Sequence, residues 1–125
     1  MGKIFVILGS LNAFLAVSLG AFGAHGLKPV LSAEMFAVYQ TGVSYHLFHA
    51  LALLIIGILT RLLTSFRWVV MAGWFLLAGI ILFSGSLYVL SLSGVHYLGI
   101  VTPIGGSAFL IGWLLLVWAG IKAEN

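Results

Sequence analysis

The sequence predicts an all-α integral membrane protein, a four-helix bundle formed by a single domain that covers residues 1–125. Charged residues make up only 6% of the chain, whereas soluble domains carry roughly 25%. The mean hydropathy is +1.29, and four long stretches contain no charged residue. Because open sheet edges cannot be satisfied in lipid and the chain shows no alternating strand pattern, these stretches are predicted to be helices.

Each uncharged stretch exceeds the roughly 18 residues that indicate a membrane span. The first follows Lys3, and because its apolar part is longer than the roughly 7–15 residues of a signal peptide, we interpret it as a helix. Ser32 is the predicted N-cap of the second helix, with Glu34 in its first turn. Thr102 is the predicted N-cap of the fourth, since Pro103 is tolerated at a first helical position. The predicted helices cover about 4–24, 33–61, 68–92 and 103–121.

The basic residues predict the orientation of the bundle. Four of the five would share one side of the membrane: Lys3, Arg61, Arg67 and Lys122. Lys28 and Glu34 fall on the opposite side. Since cytoplasmic loops carry an excess of Lys and Arg, we expect a multi-pass protein of the cell membrane with both termini in the cytoplasm.

Polar residues concentrate in the half of the bundle that this orientation places outside. Counted along the second helix at ~1.5 Å per residue, His46 and His49 lie about 8 and 12 Å below the outer boundary. The inner half is nearly all aliphatic. This asymmetry predicts a polar pocket that is open to the outer side and closed by an apolar floor, and it argues against a continuous aqueous pore.

The predicted pocket draws on all four helices. An unpaired polar group in an apolar medium costs roughly 2–7 kcal/mol, so side chains at similar depth are expected to turn inward together. The start of the fourth helix adds backbone amides that favour an anion such as a phosphate headgroup or a carboxylate. The predicted ligand-binding residues are His25, Tyr45, His49, Ser84, Ser86, Tyr88, Thr102, Gly105 and Gly106.

The histidines allow more than one interpretation. They can be neutral groups that hydrogen-bond to tyrosine, serine or backbone on neighbouring helices. They can also form a transition-metal site from His25, His46 and His49, or hold haem between His25 and His49. The only acidic residues, Glu34 and Glu124, are predicted to lie outside the bilayer. No carboxylate is therefore placed to orient a histidine base or to carry protons across the membrane.

Two function classes follow from these observations. The leading hypothesis is a non-enzymatic membrane protein that binds a ligand or lipid, or serves as an accessory subunit. The alternative is a redox protein that binds metal or haem through His25 and His49. Small residues at close-packing intervals, such as Ala16 and Gly20, favour a homo-oligomer or a larger membrane assembly. Membrane lipids are the other expected partners. The scattered basic residues do not indicate nucleic-acid binding, and the absence of cysteine excludes thiolate chemistry.

Several short motifs resemble a known family along essentially the whole chain. They are GAFGAHGL at residues 20–27, YQTG at 39–42, HALAL at 49–53, FSGSLY at 83–88 and TPIGG at 102–106. In this order they are similar to the small bacterial membrane proteins of domain-of-unknown-function family 423, which has a four-span relative in animals. The resemblance implies four spans and no assigned activity. The position of His46 is often Gln in that family, which weakens a metal site that needs both His46 and His49.

Overall fold

Four long helices make up most of the chain, as the sequence predicts. A computed structural model describes residues 1–124. The helices are α1 (Gly2–Leu27), α2 (Ala33–Leu62), α3 (Phe66–Ser93) and α4 (His96–Lys122), and each is long and apolar enough to cross a membrane. The predicted all-α class is therefore confirmed.

The helix ends follow local chemistry, with one difference from the prediction. The Ser32 hydroxyl accepts a hydrogen bond from the Met35 amide at 3.2 Å, which confirms the predicted cap of α2. Helix α3 ends at Ser93 and is capped by Gly94, whose φ of 71° is left-handed and suits glycine. The predicted Thr102 cap is wrong, because α4 begins with a 3₁₀ turn at His96–Ile100 and runs on as α-helix from Val101. The Thr102 hydroxyl bonds to another helix instead.

Two of the helices contain a wider turn. A π-helical segment, Gly23–Leu27, ends α1, and a second, Ile80–Ser84, interrupts α3. Such π turns are rare in proteins overall, and those that occur are often found at functional sites. The second lies where α3 meets the start of α4, because the backbone at Leu82 and Phe83 packs directly against Gly105.

The helices pack in two pairs. Helix α1 packs most extensively on α2, and α3 on α4, while the contact between α2 and α3 joins the pairs. A smaller share of α1 and α4 is buried than of α2 and α3, so the central pair carries most of the core. The fully buried large apolar side chains include Phe5, Leu53, Ile56, Val69 and Leu76.

Small residues bring the paired backbones together. A Cβ added at Gly9 would lie 2.9 Å from the Ala50 carbonyl oxygen, and one added at Gly57 would lie 2.9 Å from the Gly2 carbonyl oxygen. In lipid, helix association depends on such close approach. These small residues therefore serve contacts within one chain, and self-association stays a prediction.

Both described termini lie at the same end of the bundle as the short connection between α2 and α3. The Glu124 amide donates to the Thr64 hydroxyl at 3.0 Å, and the Ser65 hydroxyl donates to the Ala119 carbonyl at 2.7 Å. We call this the terminal end and the opposite one, which carries the other two connections, the loop end. The side of the membrane that each end faces stays a prediction.

Cysteine labelling tests that prediction, because the chain has no cysteine of its own. In intact cells, a membrane-impermeant maleimide should label Val30→Cys and His96→Cys at the loop end. It should label Thr64→Cys and Ala123→Cys only after the membrane is permeabilised. Labelling of position 64 in intact cells would reverse the predicted orientation.

Candidate functional site

A chain of hydrogen bonds links three helices in the interior. Asn12 Nδ2 donates to the Leu8 carbonyl at 2.8 Å, so Asn12 Oδ1 is free to accept from His46 Nε2 at 3.0 Å. His46 Nδ1 must then accept, and its donor is the Tyr88 hydroxyl at 2.8 Å. Each polar atom of the His46 ring has one partner, as a neutral imidazole requires.

This network supports the hydrogen-bonding interpretation of His46 rather than a ligand site. The His46 side chain is buried, and both ring nitrogens are used within the chain. Asn12 joins α1 to α2, and such polar side chains hydrogen-bond across helices within membranes. Sequence reasoning missed Tyr39, which is buried, donates to the Leu19 carbonyl and packs against the ring of Tyr88. Its place in the YQTG motif at 39–42 was the signal that could have found it.

The second histidine lies between α2 and α4. His49 Nδ1 contacts the Tyr45 carbonyl at 2.8 Å, and His49 Nε2 contacts the indole nitrogen of Trp113 at 3.1 Å. An indole N–H is a donor only, so Nε2 accepts and Nδ1 carries the hydrogen. The imidazole also stacks on the Phe109 ring, with centroids 3.6 Å apart. His49 is therefore buried, oriented and fully hydrogen-bonded.

A groove runs beside this histidine on the lateral surface of the bundle, the surface that faces the surrounding medium. We call it the α2–α4 groove, since it separates those helices where their backbones do not approach. Its volume is about 710 Å³, within the roughly 300–1,000 Å³ of small-molecule sites. Phe48 and Leu110 are exposed on its rim, so it opens sideways toward the surrounding medium. It is lined by Ser44, Tyr45, Phe48, His49, Phe83, Pro103, Gly106, Ser107, Phe109, Leu110 and Trp113.

The remaining residues of the predicted pocket lie around this groove or apart from it. The Ser84 hydroxyl donates to the Gly42 carbonyl at 2.8 Å, which joins α3 to α2. The Ser86 and Thr102 hydroxyls lie 2.6 Å apart and join α3 to α4. Gly105 packs on the α3 backbone beside Phe83. These polar groups pair with one another and with backbone, so the cavity they leave is mainly aromatic and aliphatic.

His25 is separate from this arrangement. It lies exposed in the π segment of α1 and does not line the α2–α4 groove. Within residues 1–124, no three histidine or acidic side chains are grouped so that they could hold a metal ion. A metal or haem iron bound at His49 Nε2 would have to displace the Trp113 indole, whereas the Nδ1–H bond to the Tyr45 carbonyl is compatible with such ligation.

Comparison with known proteins identifies the family. The model of the family described as "Protein of unknown function (DUF423)" matches residues 19–106. The chain belongs to the DUF423 family. The match confirms the resemblance carried by the sequence motifs, and it runs from the last turns of α1 to the first turns of α4.

Named relatives agree with this assignment. The DUF423 chain is 50% identical to the UPF0382 membrane protein YwdK of Bacillus subtilis over 96% of its length and 98% of that protein. It is 49% identical to the UPF0382 membrane protein SAB0533 of Staphylococcus aureus, over 96% and 97% of the two chains. No solved structure matches the chain. The four long apolar helices and these relatives identify a multi-pass membrane protein.

Proposed function

We propose that this protein is a non-enzymatic lipid-binding membrane protein, and that the α2–α4 groove holds one hydrocarbon chain of a membrane lipid. The observation that carries the proposal is the groove itself, a cavity of about 710 Å³ with a mainly aromatic and aliphatic lining. Because it opens sideways from two membrane-spanning helices, lipid chains are the molecules that surround it. An apolar groove filled by an apolar chain keeps its lining in contact with other atoms.

The dimensions of the groove fit a chain from one leaflet. Its lining on α4 runs from Pro103, near the loop end, to Trp113. Ten residues span about 15 Å at ~1.5 Å per residue, which is half of a hydrocarbon core of about 30 Å. The headgroup would lie at the loop end, and the chain would end near the indole of Trp113.

The polar chemistry beside the groove supports binding rather than catalysis. His49 has a donor and an acceptor partner already, and its Tyr45 partner is a backbone carbonyl rather than a carboxylate. The two acidic residues, Glu34 and Glu124, lie at the ends of the bundle. A general base needs a free ring nitrogen, and both nitrogens of this histidine have hydrogen-bond partners within the chain.

A groove-filling substitution tests the proposal. Ser107 is exposed, lines the groove and bonds only to the Pro103 carbonyl of its own helix, so Ser107→Trp should fill the groove without breaking a contact between helices. Ser18→Trp is the matched control, because Ser18 is exposed on α1 and makes the equivalent bond to Phe14.

Native mass spectrometry of the purified protein with its lipids retained gives the result. Under the same conditions, the wild type and Ser18→Trp should each retain one more bound lipid than Ser107→Trp does. Thermal unfolding in the same detergent checks that both variants are folded. Equal lipid retention by folded Ser107→Trp and by the wild type would contradict the proposal.

A further inference from the structure

A second cavity lies at the terminal end, between the start of α1 and the end of α2. Its volume is about 460 Å³. Gly2 and Gly57 bring the two backbones together there, since a Cβ on Gly57 would lie 2.9 Å from the Gly2 carbonyl oxygen. It is lined by Gly2, Lys3, Val6, Gly57, Ile58, Arg61 and Leu62. We call it the α1–α2 basic groove.

The charges in this groove are of one sign. Lys3 and Arg61 both line it, and no acidic residue does. Glu34 is in the first turn of α2, at the opposite end of that helix from Arg61. Glu124 lines a different cavity, which it shares with Arg67 and Lys122. An anion in the α1–α2 basic groove would therefore meet two cations without a competing carboxylate.

The rest of the lining is apolar. Val6, Ile58 and Leu62 extend the groove along the helices, and all three are exposed. A small soluble anion would make no contact with these apolar side chains, whereas a lipid has a charged headgroup beside its hydrocarbon chains and would contact both parts of the lining. Basic pockets between membrane-spanning helices recognise anionic headgroups, and a guanidinium can hold a phosphate through two parallel hydrogen bonds.

We propose that the α1–α2 basic groove is a binding site for an anionic phospholipid, with the phosphate between Lys3 and Arg61 and an acyl chain along Val6, Ile58 and Leu62. The site is separate from the α2–α4 groove, which carries no charged residue. The α1–α2 basic groove would select a phospholipid by the charge of its headgroup, whereas the α2–α4 groove would hold a different lipid molecule by its hydrocarbon chain alone. A negative result at one site therefore does not contradict the proposal for the other.

The test is a titration by native mass spectrometry in an uncharged detergent, with phosphatidylglycerol and phosphatidylcholine of the same acyl chains. The wild type should bind phosphatidylglycerol more tightly. Lys3→Gln/Arg61→Gln should weaken that binding on the order of tenfold or more, since each basic group near a headgroup contributes about a factor of five. Its binding of phosphatidylcholine should weaken less, because the choline cation offsets the charge of the phosphate.

The other cavity at the terminal end supplies a matched control. Arg67→Gln/Lys122→Gln removes the same two residue types from the same end of the molecule, but from a cavity that also contains Glu124. It should leave the phosphatidylglycerol affinity within about twofold of the wild type. An equal loss in both double variants would overturn the proposal, because it would indicate general charge attraction.

Two further measurements decide between a phospholipid and a simple anion. Ile58→Trp fills the apolar part of the groove without changing charge, and it should weaken phosphatidylglycerol binding to a similar degree. Glycerol 3-phosphate in large excess should not displace the lipid. Displacement by that soluble anion, or unchanged binding by folded Ile58→Trp, would overturn the assignment to a phospholipid. Ser107→Trp should have no effect on this site.

Discussion

Gly105→Ala is expected to destabilise the protein by about 1–3 kcal/mol, the range for overpacking a close contact. The added Cβ would lie 2.7 Å from the carbonyl carbon of Leu82 and 2.7 Å from the Cα of Phe83. These atoms belong to the backbone of the π turn, so no side chain can rotate away to make room. Helix α4 would have to move away from α3 along its tightest contact.

Thermal or denaturant unfolding in a mild detergent measures this effect. Gly120→Ala is the control on the same helix, because a Cβ there meets no atom within 4 Å. It should be neutral or stabilising by up to about 1 kcal/mol, as alanine favours helix over glycine. Equal unfolding midpoints for the two variants would show that the backbone contact at Gly105 is not tight.

His46→Leu is expected to have the second largest effect, a loss of about 2 kcal/mol, since intramembrane hydrogen bonds contribute roughly 0.6–1.7 kcal/mol each. The substitution leaves Asn12 Oδ1 and the Tyr88 hydroxyl without their partner and unties α1, α2 and α3 from one another. His46→Gln should lose less, because its amide keeps both a donor and an acceptor.

A double-mutant cycle identifies the network as the cause. Tyr88→Phe should destabilise the wild type but add little to His46→Leu, because the two residues share one bond. Thr41→Val is the control, since the exposed Thr41 hydroxyl bonds only to the Ala37 carbonyl of its own helix. It should stay within about 0.5 kcal/mol of the wild type. Additive losses at His46 and Tyr88 would contradict the proposed linkage.

The helices could be predicted from the sequence because charge is excluded from lipid, and the uncharged stretches mark them directly. The ends of the helices were harder to predict where no charged or capping residue marks the boundary. Val95–Ile100 carries no turn signal strong enough to separate a loop from a 3₁₀ turn, so α4 begins before the expected Pro103. The π turns were not predicted, because π and α turns share the same apolar composition.

The sequence predicted how deep the polar residues of the site lie in the membrane, but not which residues they contact. Counting residues along a helix gives the height of His46 and His49, and it gives the face each shares with its neighbours. It does not give the rotation of one helix against another. That rotation directs His46 to Asn12 and Tyr88, and His49 to Trp113, and leaves His25 apart. No spacing in the sequence therefore predicted that Trp113 lines the groove.

The pairing of α1 with α2 and of α3 with α4 has a consequence for biosynthesis. The ribosome synthesises α1 and α2 first. The close contacts between these two helices, at Gly9 and at Gly57, involve only residues of α1 and α2. The amino-terminal half can thus enter the bilayer as a finished hairpin. The carboxyl-terminal half follows as a second hairpin, closed by Gly105 against the π turn of α3. The native protein can thus form from two successive insertion units. The bond between Asn12 and His46 lies within the first unit, and the bond between His46 and Tyr88 forms when the two units meet.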